Sequence, residues 1–168
     1  MKKIAKFEKV SREQFVLGWM EAFNTGIGMY DGYDEVKLPR RATTGSAGYD
    51  FYSLVDVELA PGESITMATG VRVKIDEGWV LKVYPRSGMG FKYRLQLNNT
   101  VGIIDSDYYY SDNEGHIFIK ITNDSREGKT LTIHQGDAFA QGVFVEYGIT
   151  VDDDATEVRN GGFGSTSR

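Results

Sequence analysis

The sequence predicts an all-β core carrying one N-terminal helix, and three patterns predict it. Apolar and polar residues alternate at Val71, Val73 and Ile75, at Ile117, Ile119 and Ile121, and at Leu131 and Ile133. Turn chemistry divides such runs at Pro61-Gly62, Glu77-Gly78, Glu127-Gly128 and Gly136-Asp137. Only one stretch carries a helical period. Short strands with turns roughly every 8–12 residues suggest a sandwich, a jelly roll or a barrel.

Taken in order, the helix comes first. Ser11-Arg12-Glu13-Gln14 fits a capping box, and Phe15, Trp19, Met20 and Phe23 then recur at helical spacing, which predicts a helix over 11–24. Its rings pack on the β-core or on a neighbouring subunit; alternatively they serve a partner. The stretch NTGIGMYDGYDEV, punctuated by Gly26, Gly28 and Gly32, reads as a loop into the main domain. From Val36 onward the runs are β-rich. The acidic run Val151-Asp152-Asp153-Asp154 reads as a solvated linker. It leads to RNGGFGSTSR, a polar, glycine-rich tail with a single ring that is unlike the end of a folded core. The expected division is an N-terminal extension over 1–35, a β-core over 36–150, and a linker with a flexible arm over 151–168.

At 168 residues, 40% of them hydrophobic, the chain supports one domain. A net charge of −5 gives no electrostatic footprint for nucleic acid. The chain contains no cysteine, so disulfide frameworks and thiolate metal sites are excluded, and a reducing, cytoplasmic setting is expected. MKKIAKFEKV has lysines but no continuous apolar stretch behind them, and no run approaches membrane-spanning length, so no membrane association is expected. The sequence holds no GxxxxGK[ST], GxSxG, HExxH, or HxE with PCxxC. His116 and His134 lack metal-ligand spacing and read as surface or strand residues. Any hydrolysis must therefore use carboxylates, a hard metal ion and backbone amides.

Five stretches are richer in functional residue types than strand-linking turns require: AGYDFYS (47–53), PRSGMG (85–90), NNTVGIIDSDY (98–108), GDAFAQ (136–141) and GGFGSTS (161–167). Arg86-Ser87-Gly88 is either a plain turn or a compact phosphate cradle of guanidinium, hydroxyl and glycine amide. Gly102-Ile103-Ile104-Asp105 is either a buried strand ending in a surface carboxylate or a rigid mount for a general base.

Together and in this order, the five stretches resemble the five motifs of the trimeric dUTPase family, over roughly residues 36–168. The resemblance implies a jelly-roll-like homotrimer with interfacial sites, each covered by a C-terminal arm, and hydrolysis of dUTP to dUMP and pyrophosphate with magnesium on the triphosphate. It implies that Asn99 and the backbone at Gly102 and Ile104 read uracil. Tyr108 packs on the deoxyribose and leaves no room for a 2′-hydroxyl, and Asp105 activates the attacking water. Arg86, Ser87, Gly88 and Gln141 contact the phosphates. Asp50 helps hold magnesium, through its water shell, as that ion favours. In the arm, Phe163 lies over the uracil, while Arg159, Gly164, Ser165 and Thr166 serve the phosphates, and closure shields the reacting phosphorus.

The family pattern is broken in places. The fourth motif usually reads GDRxAQ, but Ala138 stands in its third place. Tyr109 to Glu114 intervene where an arginine–glycine pair normally follows the third motif. Arg159 lies four residues before Phe163, one closer than is common. The N-terminal helix is outside the common core. Two alternative functions remain: a dCTP deaminase of the same superfamily, whose members generally lack the GGFGST arm, and a dUTPase-like module that binds a regulatory protein partner.

Overall fold

The computed structural model describes residues 1–23 and 32–161. It starts with a strand that has no expected counterpart, β1 (Ala5–Lys9), followed by α1 (Arg12–Ala22) and a 3-10 turn at Gly32–Glu35. Strands β2 (Arg40–Arg41), β3 (Tyr49–Tyr52), β4 (Val57–Leu59), β5 (Ser64–Ala68), β6 (Val71–Ile75) and β7 (Trp79–Pro85) come next. Helix α2 (Ser87–Tyr93) precedes β8 (Leu95–Leu97) and β9 (Gly102–Ile104), and a second 3-10 turn spans Ser106–Tyr110. The chain then forms β10 (Phe118–Asn123), β11 (Leu131–Ile133) and β12 (Ala138–Glu146).

The strands form four antiparallel groups: β1-β6, β5-β10-β8, β11-β4, and a five-stranded sheet ordered β2-β3-β12-β7-β9. The alternation read from the sequence is borne out. Val71, Val73, Ile75, Ile119, Ile121, Leu131 and Ile133 all point into one core. The anticipated turn glycines Gly62, Gly78, Gly128 and Gly136 all have positive φ.

The all-β core stands, but the expectation of a single helix needs correction. Ser87–Tyr93 forms a seven-residue helix closed by Arg94 in the left-handed region. Gly88 and Gly90 lie within it, and so few residues show no helical period, so its sequence reads as a turn. α1 ends at Ala22, with Phe23 as its C-cap. Phe15, Trp19 and Phe23 are buried against their own chain in a run of ring contacts at 5.8 and 4.5 Å, whereas Met20 faces outward. That burial removes the three rings as a partner surface.

The capping box is half as expected. Ser11 Oγ accepts from Gln14 N at 3.1 Å, but Ser11 N donates to the Glu114 carboxylate, not to Gln14. β1 pairs along its whole length with β6, so the N-terminal segment shares the sheet system of the core. No helix among the described residues is long and apolar enough to cross a membrane. The run 151–154 is exposed.

Candidate functional site

Three of the five motifs converge at one end of the five-stranded sheet. The register sets Gln141 of β12 opposite Asp50 of β3 on one side and Tyr84 of β7 on the other. Gln141 Nε2 donates to the Pro85 carbonyl at 3.2 Å, and Arg86 Nε lies 3.3 Å from Asp50 Oδ1. A Cβ at position 48 would meet Gln141 Oε1 at 2.6 Å, so Gly48 is what lets the amide lie there. Ser87 and Gly88 occupy the first turn of α2, where amides lack intrahelical acceptors, and nothing lies within 4 Å of a Cβ at Gly88. Asp50, Arg86, Ser87, Gly88 and Gln141 therefore form one partly open polar cluster with room for an anion. Ala138 pairs with Tyr52 beside a β-bulge, and it is Lys37 that brings a cation to this corner, 5.8 Å from the Tyr52 ring centroid.

The third motif forms a second cluster. Residues 97–102 turn tightly, with Thr100 at φ 67° and its N–H donating to Leu97 O at 2.9 Å. Asn99, Gly102 and Ile104 line a cavity of about 710 Å³, to which α1 adds Glu21 and the 109–114 insertion adds Asn113. Asp105 follows β9 directly, half exposed, and Tyr108 lies one 3-10 turn further on, 3% exposed. Burial pushes the Tyr108 phenol up, against the hydrogen bond from Asn113. Tyr108 Oη donates to His116 O at 2.7 Å and accepts from Asn113 Nδ2 at 2.9 Å.

Arg159 reaches this second cluster. Its guanidinium binds Asp105 Oδ2 at 2.6 Å and Asp107 Oδ1 at 2.9 Å, and it lies 5.9 Å from the centre of the Tyr108 ring. Phe163, Gly164, Ser165 and Thr166 lie outside the described residues.

The two clusters stand apart within one chain. β7 and β9 pair with Leu81 opposite Ile104, which carries Asp105 to the level of Val80, six residues before Arg86. At about 3.3 Å per residue the backbones at Asp105 and Arg86 are about 20 Å apart along the strand pair.

Several residues around Tyr108 were not singled out by sequence reasoning. Glu114 receives both Ser11 N and Ser11 Oγ, at 2.8 and 2.6 Å. Burial penalises its charged form, but the Ser11 hydrogen bonds and the Arg72 charge outweigh that and hold the carboxyl below its usual range. His116, read as a surface or strand residue, is fully buried, its Nε2 accepting from Gly70 N at 2.9 Å. The signal that could have found them was the 109–114 segment itself, since six residues added beside a hairpin need something to pack on.

The dUTPase family model matches residues 34–167. A Lactococcus lactis protein named deoxyuridine 5′-triphosphate nucleotidohydrolase is 41% identical over 134 residues, covering 78% of this chain and 88% of its own. The chain belongs to the dUTPase family. A second such nucleotidohydrolase, from Shigella sonnei, is 40% identical over 80% of this chain and 89% of its own. Among solved structures, the Streptococcus mutans dUTPase aligns with a TM-score of 0.62 at 30% identity, covering 88% of this chain and 98% of that one. The fold is also shared with a mutant dUTPase from phage phi11 of S. aureus that coordinates a structural Mg(II) ion, with a TM-score of 0.63 at 23% identity, over 92% and 98% of the two chains. The dUTPase match begins at residue 34, beyond β1 and α1, and takes in all five motifs.

Proposed function

We propose that the chain hydrolyses dUTP to dUMP and pyrophosphate, as a homotrimer acting on the magnesium complex of the nucleotide in the cytoplasm. The observation that carries this reading is Asp105, held at the free end of β9 between the Asn99–Gly102 turn and the buried Tyr108, in a chain 41% identical to a named dUTP nucleotidohydrolase.

Asn99 and the backbone at Gly102 and Ile104 bind the uracil edge. Thymine is refused by clash, and cytosine by leaving buried polar groups unpaired. The Tyr108 ring fills the space a 2′-hydroxyl would need. Asp105 accepts a proton from a water molecule whose oxygen bonds to the α-phosphorus; the bond to the β-phosphate oxygen breaks, and pyrophosphate leaves with that electron pair. Such a base contributes about 10²–10⁴ in rate. Arg86, Ser87, the Gly88 amide and Gln141 hold the negative phosphates in line.

The separation of Asp105 from Arg86 along β7 and β9 supports assembly of each site from different copies. The donor set suits a magnesium ion carried in by the triphosphate. The described residues contain no group of three or more acidic or histidine side chains that could cage a metal, and the one carboxylate of the phosphate cluster, Asp50, suits a contact through the ion's water shell. When bound, the ion neutralises phosphate charge and polarises the centre under attack. Arg159 exchanges Asp105 and Asp107 for phosphate as the arm closes, with Phe163 over the uracil and Gly164, Ser165 and Thr166 at the phosphates.

A nucleotide panel tests this reading. With magnesium, pyrophosphate is expected from dUTP and only marginally from dCTP, dTTP or UTP. Ammonia released from dCTP would establish the deaminase chemistry instead.

A further inference from the structure

We propose that Asn113, in the insertion after the third motif, is a positioning residue that sets the preference for deoxyribose over ribose by pinning the Tyr108 ring. The inference rests on the dUTP reading above, and on contacts that Tyr108 makes with Asn113 and His116, which lie outside the five motifs.

A wall rejects a hydroxyl only if it cannot retreat, and discrimination by an aromatic surface alone is modest. Tyr108 is held at its tip from two sides: Asn113 Nδ2 donates to the phenol oxygen at 2.9 Å, and that oxygen donates to His116 O at 2.7 Å. The Asn113 donor is what commits the single phenolic proton to the carbonyl. Asn113 is itself held, its Oδ1 accepting from Gly115 N at 3.2 Å and its carbonyl from His116 N at 3.0 Å. Gly115 has φ 71°, and a Cβ there would meet Tyr108 O at 2.7 Å, so the insertion closes flush against the tyrosine backbone.

The N-terminal segment then fixes the insertion. Glu114 binds both polar groups of Ser11, and Tyr109 Oη donates to Glu8 Oε2 at 2.6 Å. α1 lies directly on the His116 ring at Gly18. Asn113 also lines the cavity that Asn99 and Gly102 line, so the residue that holds the phenol tip borders the space proposed for the nucleoside. β1, α1 and the insertion are thus one buttress, and Asn113 is where it meets the tyrosine.

The experiment compares kcat and KM for dUTP and UTP in the full-length protein and in Asn113→Ala, Tyr108→Phe and the double variant. Loss of one hydrogen bond should lower the dUTP:UTP ratio of kcat/KM by roughly three- to tenfold. The fall should come mainly through faster UTP turnover, with the dUTP value falling by less than the UTP value rises. Tyr108→Phe should show the same fall, and the double variant no more than either single one. Asn113→Asp keeps the volume and the acceptor for Gly115 N but leaves one phenolic proton for two acceptors. It should shift the ratio the same way, and it decides the matter if the alanine variant does not fold. An unchanged ratio in folded variants, or additive falls in the double variant, overturns the assignment of Asn113 while the wild type still hydrolyses dUTP. A wild type without dUTP turnover removes the dUTP reading, and this inference with it.

Discussion

The Glu114 carboxylate accepts both the backbone N–H and the hydroxyl of Ser11, at 2.8 and 2.6 Å, across 103 positions of sequence. Two of the departures from the family pattern, the extra helix and the extra hairpin segment, are therefore one structure. Ser11 caps α1 through Gln14 N, and the insertion supplies the reciprocal partner that a capping box would draw from its own helix.

A shared cap predicts energetic coupling. Ser11→Ala should cost about 1 kcal/mol of unfolding free energy, as N-cap losses do. Glu114→Ala should cost about 1–2 kcal/mol, because it leaves Ser11 N without its acceptor. In a urea-denaturation double-mutant cycle the two losses should fall short of additive by about 1 kcal/mol. Strict additivity would mean that Glu114 and Ser11 do not share the cap.

Gly18 tests how closely α1 lies on the core. An alanine in a helix interior ordinarily gains about 1 kcal/mol over glycine. Here the added Cβ would meet the His116 ring at 2.5 Å and Phe118 at 3.0 Å, and His116 is fully buried with its Nε2 tied to Gly70. Overpacking costs about 1–3 kcal/mol, so the clash should win and Gly18→Ala should lower the melting temperature. A raised melting temperature would show that the helix has room to lift.

His116 predicts an acid sensitivity. Burial pushes its imidazole from 6.5 down to about 4, with the Glu114 charge opposing. The unfolded chain binds the proton first, so the contribution is fully present above pH 6.5 and is lost as pH falls toward 4. At about 1.4 kcal/mol per pH unit the loss approaches about 3 kcal/mol. Stability measured between pH 7 and 4 should fall more steeply in the wild type than in His116→Gln, which has nothing to titrate there. Equal slopes would place the imidazole in water.

The strand pattern was legible because each run needs only its own period and its own turn: Val71, Val73 and Ile75 announce an inward face without knowledge of the partner strand. The motif residues were legible by type and spacing, and Asp50 and Gln141 do meet on adjacent strands, with Arg86 reaching Asp50 from the start of α2. Tertiary partners were not legible. Nothing near Ser11 in sequence points to Glu114, and His116 resembles a strand-edge residue until α1 covers it. β1 escaped for a related reason, since AKFEK alternates weakly and becomes a strand by pairing with β6. Arg159 was read toward phosphate from its neighbours in the tail, whereas in the free chain its nearest anions are Asp105 and Asp107.

That contact bears on the last prediction. The carboxylate proposed to activate water is engaged by a guanidinium at 2.6 Å whose side chain is only 15% exposed. The ion pair occupies Asp105 Oδ2, and incoming phosphates compete with Asp105 and Asp107 for Arg159. Asp105→Asn should lower kcat for dUTP by about 10²–10⁴, because the amide has no basic site for the water's proton. It also removes one of the two carboxylates competing for Arg159, leaving Asp107, so a non-hydrolysable dUTP analogue should bind at least as tightly as to the wild type in calorimetry. Removing a base alone predicts unchanged affinity, and removing a base that also restrains the arm predicts a gain. Retained turnover would assign the water to another group, and affinity weakened more than about tenfold would make Asp105 a binding residue first, since a lost hydrogen bond to a charged group accounts for such a change.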